Sequence, residues 1–342
     1  MPSPRSILLV KLSAIGDVLH GIPVAVALRG GFPEATIGWV VEGRTAELLD
    51  GHPAIDHVLR LPRGWAKRPA EWGRLRGELH AFAPDVTIDM QGLLKSALVT
   101  WLSGAPIRIG PEGADAREGS WLATTERVEA TAAHVVERNL SLLSPLGIPA
   151  GIPAFRLPTW PLPAARMARF VASLGPGTPP VIVNPGAGWS SKIWPEDRFA
   201  TVARRLATEQ GRRTVVVWGG PAERAAAERI AAASGATLAP PTTLQELAEL
   251  CRLADCFISS DTGPLHLAAA VGTPCVGLFG PVPAQRNGPW GEGHATVEPP
   301  PDVRPPWRER KTDTRAMAAI GADAVVAAVA AVLRRTRRLR AV

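Results

Sequence analysis

Apolar and polar positions alternate along the whole chain in a regular way. Short, nearly continuous apolar runs are followed by longer segments in which apolar residues recur at helical spacing. Apolar runs of this length are typical of parallel strands that helices cover on both faces. They predict strands at 6–12, 36–41, 55–61, 85–89, 107–110, 181–184 and 214–218, with two more inside 258–280. The alternation predicts an α/β protein with doubly wound parallel sheets.

The segment 147–163 is rich in proline and carries little charge, which is typical of a domain boundary. The chain has 342 residues, enough for two α/β domains that each have a complete core. We therefore expect an N-terminal domain at 1–160 and a C-terminal domain at 175–310. Residues 314–340 are predicted to form a terminal helix whose end is crowded with arginines.

Polar loops follow the predicted strands of the first half. Ser13, Gly16 and Asp17 lie just after the first strand, and Gln91 and Lys95 lie just after the fourth. Open α/β sheets bind ligands at these carboxyl ends of strands. Asp17 can act as a helix N-cap or as a general base, and the two roles are compatible.

Two polar loops of the second half have features of a phosphate and ribose site. The loop 185–195 is rich in glycine, contains Gly186 and reaches Lys192, but it lacks the spacing of a P-loop. Its backbone N–H groups and Lys192 can hold a diphosphate, although a plain surface loop is the alternative. Glu223 follows the strand at 214–218 and can accept hydrogen bonds from ribose hydroxyls, or simply stabilise the first turn of a helix.

The stretch 258–280 reads as strand, polar loop, short helix, turn and strand. Asp261, Thr262 and Gly263 come directly before Pro264, which suits the first turn of a helix. The free N–H groups at such a helix start can bind an anion. Asp261 would repel a phosphate and is better suited to accept hydrogen bonds from sugar hydroxyls. A nucleotide sugar satisfies both features, whereas an ordinary helix N-cap is the alternative.

The excess of basic residues indicates an anionic partner. The net charge is +7, and all but five of the 38 basic residues are arginines. Basic residues alternate with tryptophans in a loop at 60–76, which can bind an anionic, partly lipidic acceptor or can be a solvated surface. No helix-turn-helix, zinc-finger or RNP pattern occurs, so a nucleic acid partner is not expected.

The chain shows no sign of secretion or membrane insertion. It has no apolar run of membrane-spanning length, no signal-peptide pattern at its start, and three cysteines without metal-like or disulfide-like spacing. A reduced cytoplasm is therefore the expected compartment. No Asp-x-Asp pair occurs in the chain, and no cofactor is expected.

Together these motifs resemble glycosyltransferase family 9, the bacterial ADP-heptose:lipopolysaccharide heptosyltransferases. The stretches that carry the resemblance are 10–20, 89–96, 116–118, 192–195 and 261–269. The first two are more similar to heptosyltransferase I, which adds the first heptose to Kdo on lipid A, than to heptosyltransferase II. The loop at 186–188 departs from this pattern, because it carries no hydroxyls where heptosyltransferase I has them; Ser190 or Ser191 can replace them.

The resemblance implies a GT-B fold, in which two Rossmann-like domains face a central cleft and the terminal helix packs back on the N-terminal domain. It implies an inverting, metal-independent transfer of heptose from ADP-heptose to a Kdo residue of the lipid A-linked inner core. It also implies a cytoplasmic protein that is peripheral on the inner face of the cytoplasmic membrane.

The resemblance also implies roles for individual residues. Asp17 matches the general base, and Lys192 matches the residue that neutralises the leaving diphosphate. The donor-binding set is Gly186, Lys192, Glu223, Asp261, Thr262, Gly263 and His266. The acceptor-binding set is Ser13, Gly16, Arg60, Arg63, Lys67, Arg68, Gln91, Lys95 and Arg117.

Three alternatives remain open at this point. One is a family 9 transferase that uses another nucleotide sugar or another acceptor. A second is a non-catalytic nucleotide-sugar-binding protein, which the combination of Asp17, Lys192 and Asp261 disfavours. A GT-B epimerase is the least favoured, because the sequence offers no acid and base set for the sugar C2.

Overall fold

A computed structural model describes residues 3–149 and 151–340, with side chains up to residue 336. The chain divides into two compact units at the Pro158–Thr159 junction. This junction lies within the proline-rich segment at 147–163, where the absence of a helical or strand pattern predicts a boundary.

The described part of the first unit contains a six-stranded sheet in the order β3-β2-β1-β4-β5-β6, and its pairings are parallel. The strands are β1 (Ser6–Val10), β2 (Thr36–Glu42), β3 (His57–Leu61), β4 (Val86–Asp89), β5 (Ile107–Pro111) and β6 (Glu126–Val128). The α-helices are α1 (Ile15–Gly31), α2 (Pro69–Phe82), α3 (Leu94–Leu102) and α4 (Val135–Ser141). Short 3₁₀ helices lie between them, including Gly43–Leu48 and Trp65–Lys67.

The central strand β1 sets the position of the polar loops in this unit. Val10 pairs with Val40 of β2 on one side and with Asp89 of β4 on the other. The loops that follow these strands therefore leave the sheet at the same edge. Leu8 and Val10 are fully buried in a core that also includes Trp65, so the basic loop after β3 is anchored to the centre of the unit.

The described part of the second unit repeats this architecture in a six-stranded parallel sheet of order β12-β11-β10-β7-β8-β9. The strands are β7 (Val181–Asn184), β8 (Thr214–Val216), β9 (Thr237–Leu238), β10 (Cys256–Ser260), β11 (Cys275–Leu278) and β12 (Ala295–Val297). The α-helices are α5 (Pro161–Ser173), α6 (Glu196–Gln210), α7 (Pro221–Ser234), α8 (Leu244–Arg252), α9 (Gly263–Ala270), α10 (Ala284–Asn287), α11 (Arg315–Ala318) and α12 (Ala322–Arg340).

The terminal region is divided where a single helix was expected. The predicted helix at 314–340 consists of α11 and α12, which are separate on either side of Gly321. An apolar stripe of α12 lies in the core of the second unit, where Val325, Val329 and Val332 are fully or almost fully buried with residues of β10 and β11. The packing of this terminal helix on the N-terminal domain, which the resemblance implies, stays a prediction.

Among the described residues, no helix combines the length and the apolarity that a membrane span requires.

Candidate functional site

In the first unit, Asp17 lies in the first turn of α1, directly after the loop that leaves β1. Its side chain is exposed, and its Oδ2 accepts a hydrogen bond from the Ala14 backbone N–H at 3.0 Å. Ser13 precedes that cap and Gly16 is buried beside it in the same turn. Ala14 is the N-cap of α1, so Asp17 is not the N-cap that the sequence allowed; its carboxylate instead holds the N-cap backbone N–H and is exposed as a hydrogen-bond acceptor at the carboxyl end of the central strand.

The neighbouring loop after β4 is held by a buried carboxylate. Asp89 accepts hydrogen bonds from the N–H groups of Gln91 at 2.8 Å and Gly92 at 3.1 Å, and from the Ser96 hydroxyl at 2.9 Å. Burial raises the pKa of Asp89, and these hydrogen bonds and the charge of Lys11 oppose that rise. The loop that carries Gln91 is therefore built on a rigid internal turn.

Gln91 joins the two loops of this edge. Its Oε1 accepts a hydrogen bond from the Leu12 backbone N–H at 2.7 Å. Because Leu12 leads into the loop of Ser13 and Asp17, this contact brings Gln91 next to the start of α1. The side-chain amide group remains as a donor at the same edge.

Lys95 makes an ion pair with Glu42 at the end of β2, with 3.0 Å between Nζ and Oε2. Glu42 is almost fully buried, and its Oε1 also accepts the Gly64 N–H at 3.2 Å. One carboxylate thus connects Lys95 with the basic loop after β3. Sequence reasoning treated Glu42 only as the end of a strand and gave no indication of this link.

The predicted acceptor cations fall into two groups. Arg63, Lys67 and Arg68 are exposed, and no carboxylate among the described residues forms an ion pair with them. Arg60 instead is ion-paired with Asp50, so its charge is already compensated. The first group, Arg63, Lys67 and Arg68, is therefore the part of the basic loop that can bind an anionic ligand.

Arg117 lies in a loop held against the β4 loop. Its backbone N–H donates to the Gly92 carbonyl at 2.9 Å, and its side chain is exposed without an ion pair among the described residues. Gly92 has φ of +63°, and an added Cβ would lie 2.2 Å from the Asp115 carbonyl oxygen. Only glycine fits between these two loops.

In the second unit, Asp261 is the centre of a compact polar cluster directly after β10. Its Oδ2 lies 2.5 Å from the Lys192 Nζ. Its Oδ1 accepts from Asn287 Nδ2 at 2.7 Å and lies 3.2 Å from His266 Nε2. The glycine-rich loop, the helix α9 and the loop after β11 therefore converge on one carboxylate.

The surroundings of Asp261 favour its charged form. Burial opposes ionisation, but the hydrogen bond from His266 and the positive charge of Lys192 outweigh it. The pKa of Asp261 is held well below its usual range. Asp261 is therefore ionised throughout the physiological pH range.

Thr262 and Gly263 form the start of α9, as the sequence predicts. The Thr262 hydroxyl lies 3.0 Å from the Ser259 hydroxyl, which in turn accepts from Asn184 Nδ2 at 2.9 Å. The threonine side chain is thus held towards the end of β7, and it does not cap its own helix. Pro264 has no N–H and the Leu265 N–H donates to the Thr262 carbonyl at 3.1 Å, so the Gly263 N–H is the group at this helix start that is left to face a ligand.

Gly186 and Glu223 are brought into direct contact. An added Cβ on Gly186 would lie 2.4 Å from the Glu223 Cδ, so a side chain at position 186 would displace the Glu223 carboxylate. The Glu223 Oε2 accepts the Gly219 N–H at 2.7 Å. The loops after β7 and β8 therefore meet through this carboxylate, which leaves its other oxygen as an acceptor.

The two serines expected to replace the missing hydroxyls are used elsewhere. Ser191 is fully buried and donates to the Arg310 carbonyl at 2.8 Å, and Ser190 donates to the Lys311 carbonyl at 3.4 Å. Their hydroxyls anchor the segment before α11. Within residues 3–149 and 151–340, no three His, Cys, Asp or Glu side chains converge as a metal-binding group.

Comparison with known sequences identifies this arrangement. Residues 72–304 match the family profile described as Glycosyltransferase family 9 (heptosyltransferase), and they make up more than half of the chain. The chain belongs to glycosyltransferase family 9. This family 9 enzyme is therefore a glycosyltransferase, and its two parallel-sheet units are those of the GT-B fold.

Individual relatives support the same assignment. The chain is 33% identical to Lipopolysaccharide heptosyltransferase 1 of Pseudomonas aeruginosa over 300 residues, which cover 83% of this chain and 81% of that protein. The structure of the E. coli heptosyltransferase WaaC with ADP is similar with a TM-score of 0.76 and 26% identity, over 94% of this chain and 97% of that one. A family 9 glycosyltransferase of Veillonella parvula shares the fold, with a TM-score of 0.84, 20% identity, and coverage of 97% and 98%.

One member of the polar cluster around Asp261 was missed by sequence reasoning. Asn287 lies at the end of α10, inside the Pro- and Gly-rich stretch that the sequence indicated only as a loop. No periodic pattern or motif there predicts a hydrogen-bond donor to Asp261. Its proximity to Asp261 follows from the parallel pairing of β10 and β11, because the loops after both strands leave the sheet at one edge.

Proposed function

We propose that this family 9 enzyme transfers heptose from ADP-heptose to a Kdo residue of the lipid A-linked inner core of lipopolysaccharide, with inversion and without a metal ion. The observation that carries the proposal is the cluster of Lys192, Asp261 and His266 at the start of α9. The lipopolysaccharide heptosyltransferases among the relatives support the choice of substrates.

The donor side has a complementary group for each part of a nucleotide sugar. The Gly263 N–H at the start of α9 and the ammonium group of Lys192 suit a diphosphate. Asp261 suits a sugar hydroxyl, since it is an ionised acceptor held by three donors in a fixed orientation. The second oxygen of Glu223 suits a ribose hydroxyl.

The reaction that we propose needs one base on the acceptor side. The acceptor hydroxyl oxygen forms a bond with the anomeric carbon, and its proton passes to Asp17. The bond between the anomeric carbon and the diphosphate oxygen breaks, and its electron pair leaves with ADP. Attack from the side opposite the leaving group inverts the anomeric centre.

The acceptor side is positively charged in the first unit. Arg63, Lys67, Arg68 and Arg117 are exposed and unpaired among the described residues, so they are available to carboxylates and phosphates. Gln91 and Lys95 lie at the loops beside Asp17 and Glu42. We propose that these groups bind the Kdo carboxylates and the phosphates of the lipid-linked acceptor.

We further propose that the enzyme is peripheral on the cytoplasmic face of the cytoplasmic membrane. Support comes from four exposed apolar side chains in the first unit, Leu94, Trp101, Trp121 and Leu122. Leu94 and Trp101 are seven residues apart and share a face of α3, and the 3₁₀ segment Ser120–Ala123 contacts that helix. Tryptophan side chains are enriched where an apolar body meets a wet interface.

The experiment that tests the proposal measures ADP release from ADP-heptose with and without Kdo-lipid A. Acceptor-dependent release by the wild-type enzyme is expected. Asp17→Asn should lower that rate by about 10²- to 10⁴-fold, because a positioned base contributes roughly this much. The matched control is Glu34→Gln, an exposed carboxylate without an ion pair among the described residues. An unchanged transfer rate for Asp17→Asn would show that Asp17 is not the base.

A second candidate is a family 9 transferase with another nucleotide sugar or acceptor. The glycine-rich loop favours it, because Gly186 and Gly188 offer no hydroxyl and the hydroxyl of Ser191 is used by Arg310. A screen of nucleotide sugars and acceptors separates the two candidates. Binding of ADP-heptose without turnover on any acceptor would instead favour a non-catalytic binding protein.

A further inference from the structure

An aromatic ring in the glycine-rich loop of the second unit is surrounded by positive charge. The Lys192 Nζ lies 4.4 Å from the centre of the Trp189 ring, and the Lys311 Nζ lies 5.3 Å from it. The Arg310 guanidinium carbon lies 6.0 Å from the same centre. Three cationic groups therefore gather at the loop that contains the diphosphate candidate Lys192.

The segment 307–311, which we name the basic strap, is fixed to this loop through its backbone. Its carbonyl oxygens at Arg310 and Lys311 accept the hydroxyls of Ser191 and Ser190. The Arg310 guanidinium also lies 3.7 Å from the centre of the Trp307 ring. The strap is thus held to the loop by backbone contacts, and within the strap the Arg310 guanidinium also donates to the Trp307 carbonyl.

The positive charge of the strap is not compensated among the described residues. Lys192 has Asp261 as its partner, but no carboxylate in the described part of the chain forms an ion pair with Arg310 or Lys311. The Arg310 Nε is also buried without a hydrogen-bond partner there. Like charges that gather without counter-charges are unfavourable, and an anion would relieve both features.

We propose that Arg310 and Lys311 bind the diphosphate of the donor and share with Lys192 the charge of the leaving nucleoside diphosphate. The inference rests on the proposed function and adds two residues to it. Both lie beyond residues 72–304, the part that matches the family profile. When the bond to the anomeric carbon breaks, its electron pair adds one negative charge to the diphosphate, which a further arginine and lysine can stabilise.

The experiment compares the binding of ADP and of adenosine to Arg310→Gln, Lys311→Gln and the double variant, by calorimetry for ADP and ligand-observed NMR for adenosine. The matched control is Arg308→Gln, an exposed arginine of the same strap that lies in no cation–aromatic contact among the described residues. Each single variant should weaken ADP binding about fivefold, because a partly exposed charged hydrogen bond contributes on this scale. Adenosine binding should be unchanged.

The outcomes separate this inference from the proposed function. ADP binding by the double variant that equals the wild type would overturn the inference, as would an equal loss of adenosine binding. If the wild type binds UDP or GDP in place of ADP, the donor assignment fails, and the same variants test the strap with that diphosphate. If the wild type binds no nucleoside diphosphate, both proposals fail. Far-UV circular dichroism and the melting temperature check that each variant is folded.

Discussion

Replacing Lys192 by methionine tests how much the buried ion pair with Asp261 stabilises the second unit. The side chains of Lys192 and Asp261 are only 15% and 6% exposed, so the substitution leaves a buried carboxylate without its counter-charge. Breaking such a pair usually costs about 3–5 kcal/mol. His266 and Asn287 still donate to Asp261, so we expect about 2–3 kcal/mol less stability at neutral pH.

The pH dependence of this loss has a definite sign. The pKa of Asp261 in the folded wild type lies below its ordinary value of 3.8, so the carboxylate contributes stability above that pH and loses the contribution as the pH falls through the folded pKa. In Lys192→Met, the pKa of Asp261 should be higher than in the wild type, because the lowering by Lys192 is lost while burial remains. The Asp261 carboxylate of the variant is then protonated at a higher pH than that of the wild type, which removes its unpaired buried charge. The difference in unfolding free energy between wild type and variant should therefore narrow as the pH falls towards 3.8.

The assay is urea unfolding at several pH values, with transfer activity measured in parallel. The control is Arg224→Met, which removes an exposed ion pair with Glu228 in the same unit and should change the unfolding free energy by less than about 0.5 kcal/mol. An unchanged midpoint for Lys192→Met, or a difference that widens in acid, would refute this account of the pair. Transfer should fall by about 10²- to 10³-fold, since Lys192 is assigned to the leaving group.

Three further predictions follow from single contacts. Asn287→Ala removes the 2.7 Å donor of Asp261 and should raise the donor KM about fivefold, whereas Gln285→Ala, on the exposed side of α10, should not. Gly92→Ala places a Cβ 2.2 Å from the Asp115 carbonyl oxygen and should lower the unfolding free energy by more than about 2 kcal/mol; Gly73→Ala, in an open helical position, should instead raise it slightly. Replacing Trp101 and Trp121 by glutamine should reduce flotation with anionic vesicles while leaving ADP binding unchanged, and equal flotation would contradict the proposed membrane face.

The strands that sequence analysis predicted and those that it missed differ in length and position. The continuous apolar runs predicted the strands that lie inside the two sheets and one edge strand, β3, which is five residues long. The pattern did not predict β6, β9 and β12, which are two or three residues long and lie at sheet edges. Edge strands have a neighbour on one side only, so they need fewer apolar residues and give a weaker signal.

The individual polar residues of the site could be predicted more readily than their partners. Asp261 and Lys192 each follow a recognisable strand, so their place at the sheet edge is readable from the sequence. Their direct contact depends on how a loop folds back across 69 positions, which no local pattern records. The same holds for the ion pair of Lys95 with Glu42, where the partner lies 53 positions away.

The contact of Gly186 with Glu223 has a consequence for how this enzyme family can vary. A side chain at position 186 and the carboxylate of Glu223 would occupy the same space, so position 186 can gain a side chain only if the glutamate moves or is replaced. A homologue that gains a serine or threonine at the first position should have lost or redirected the glutamate at the second. The two positions should therefore substitute together across an alignment, and each combination would mark a different way of holding the donor.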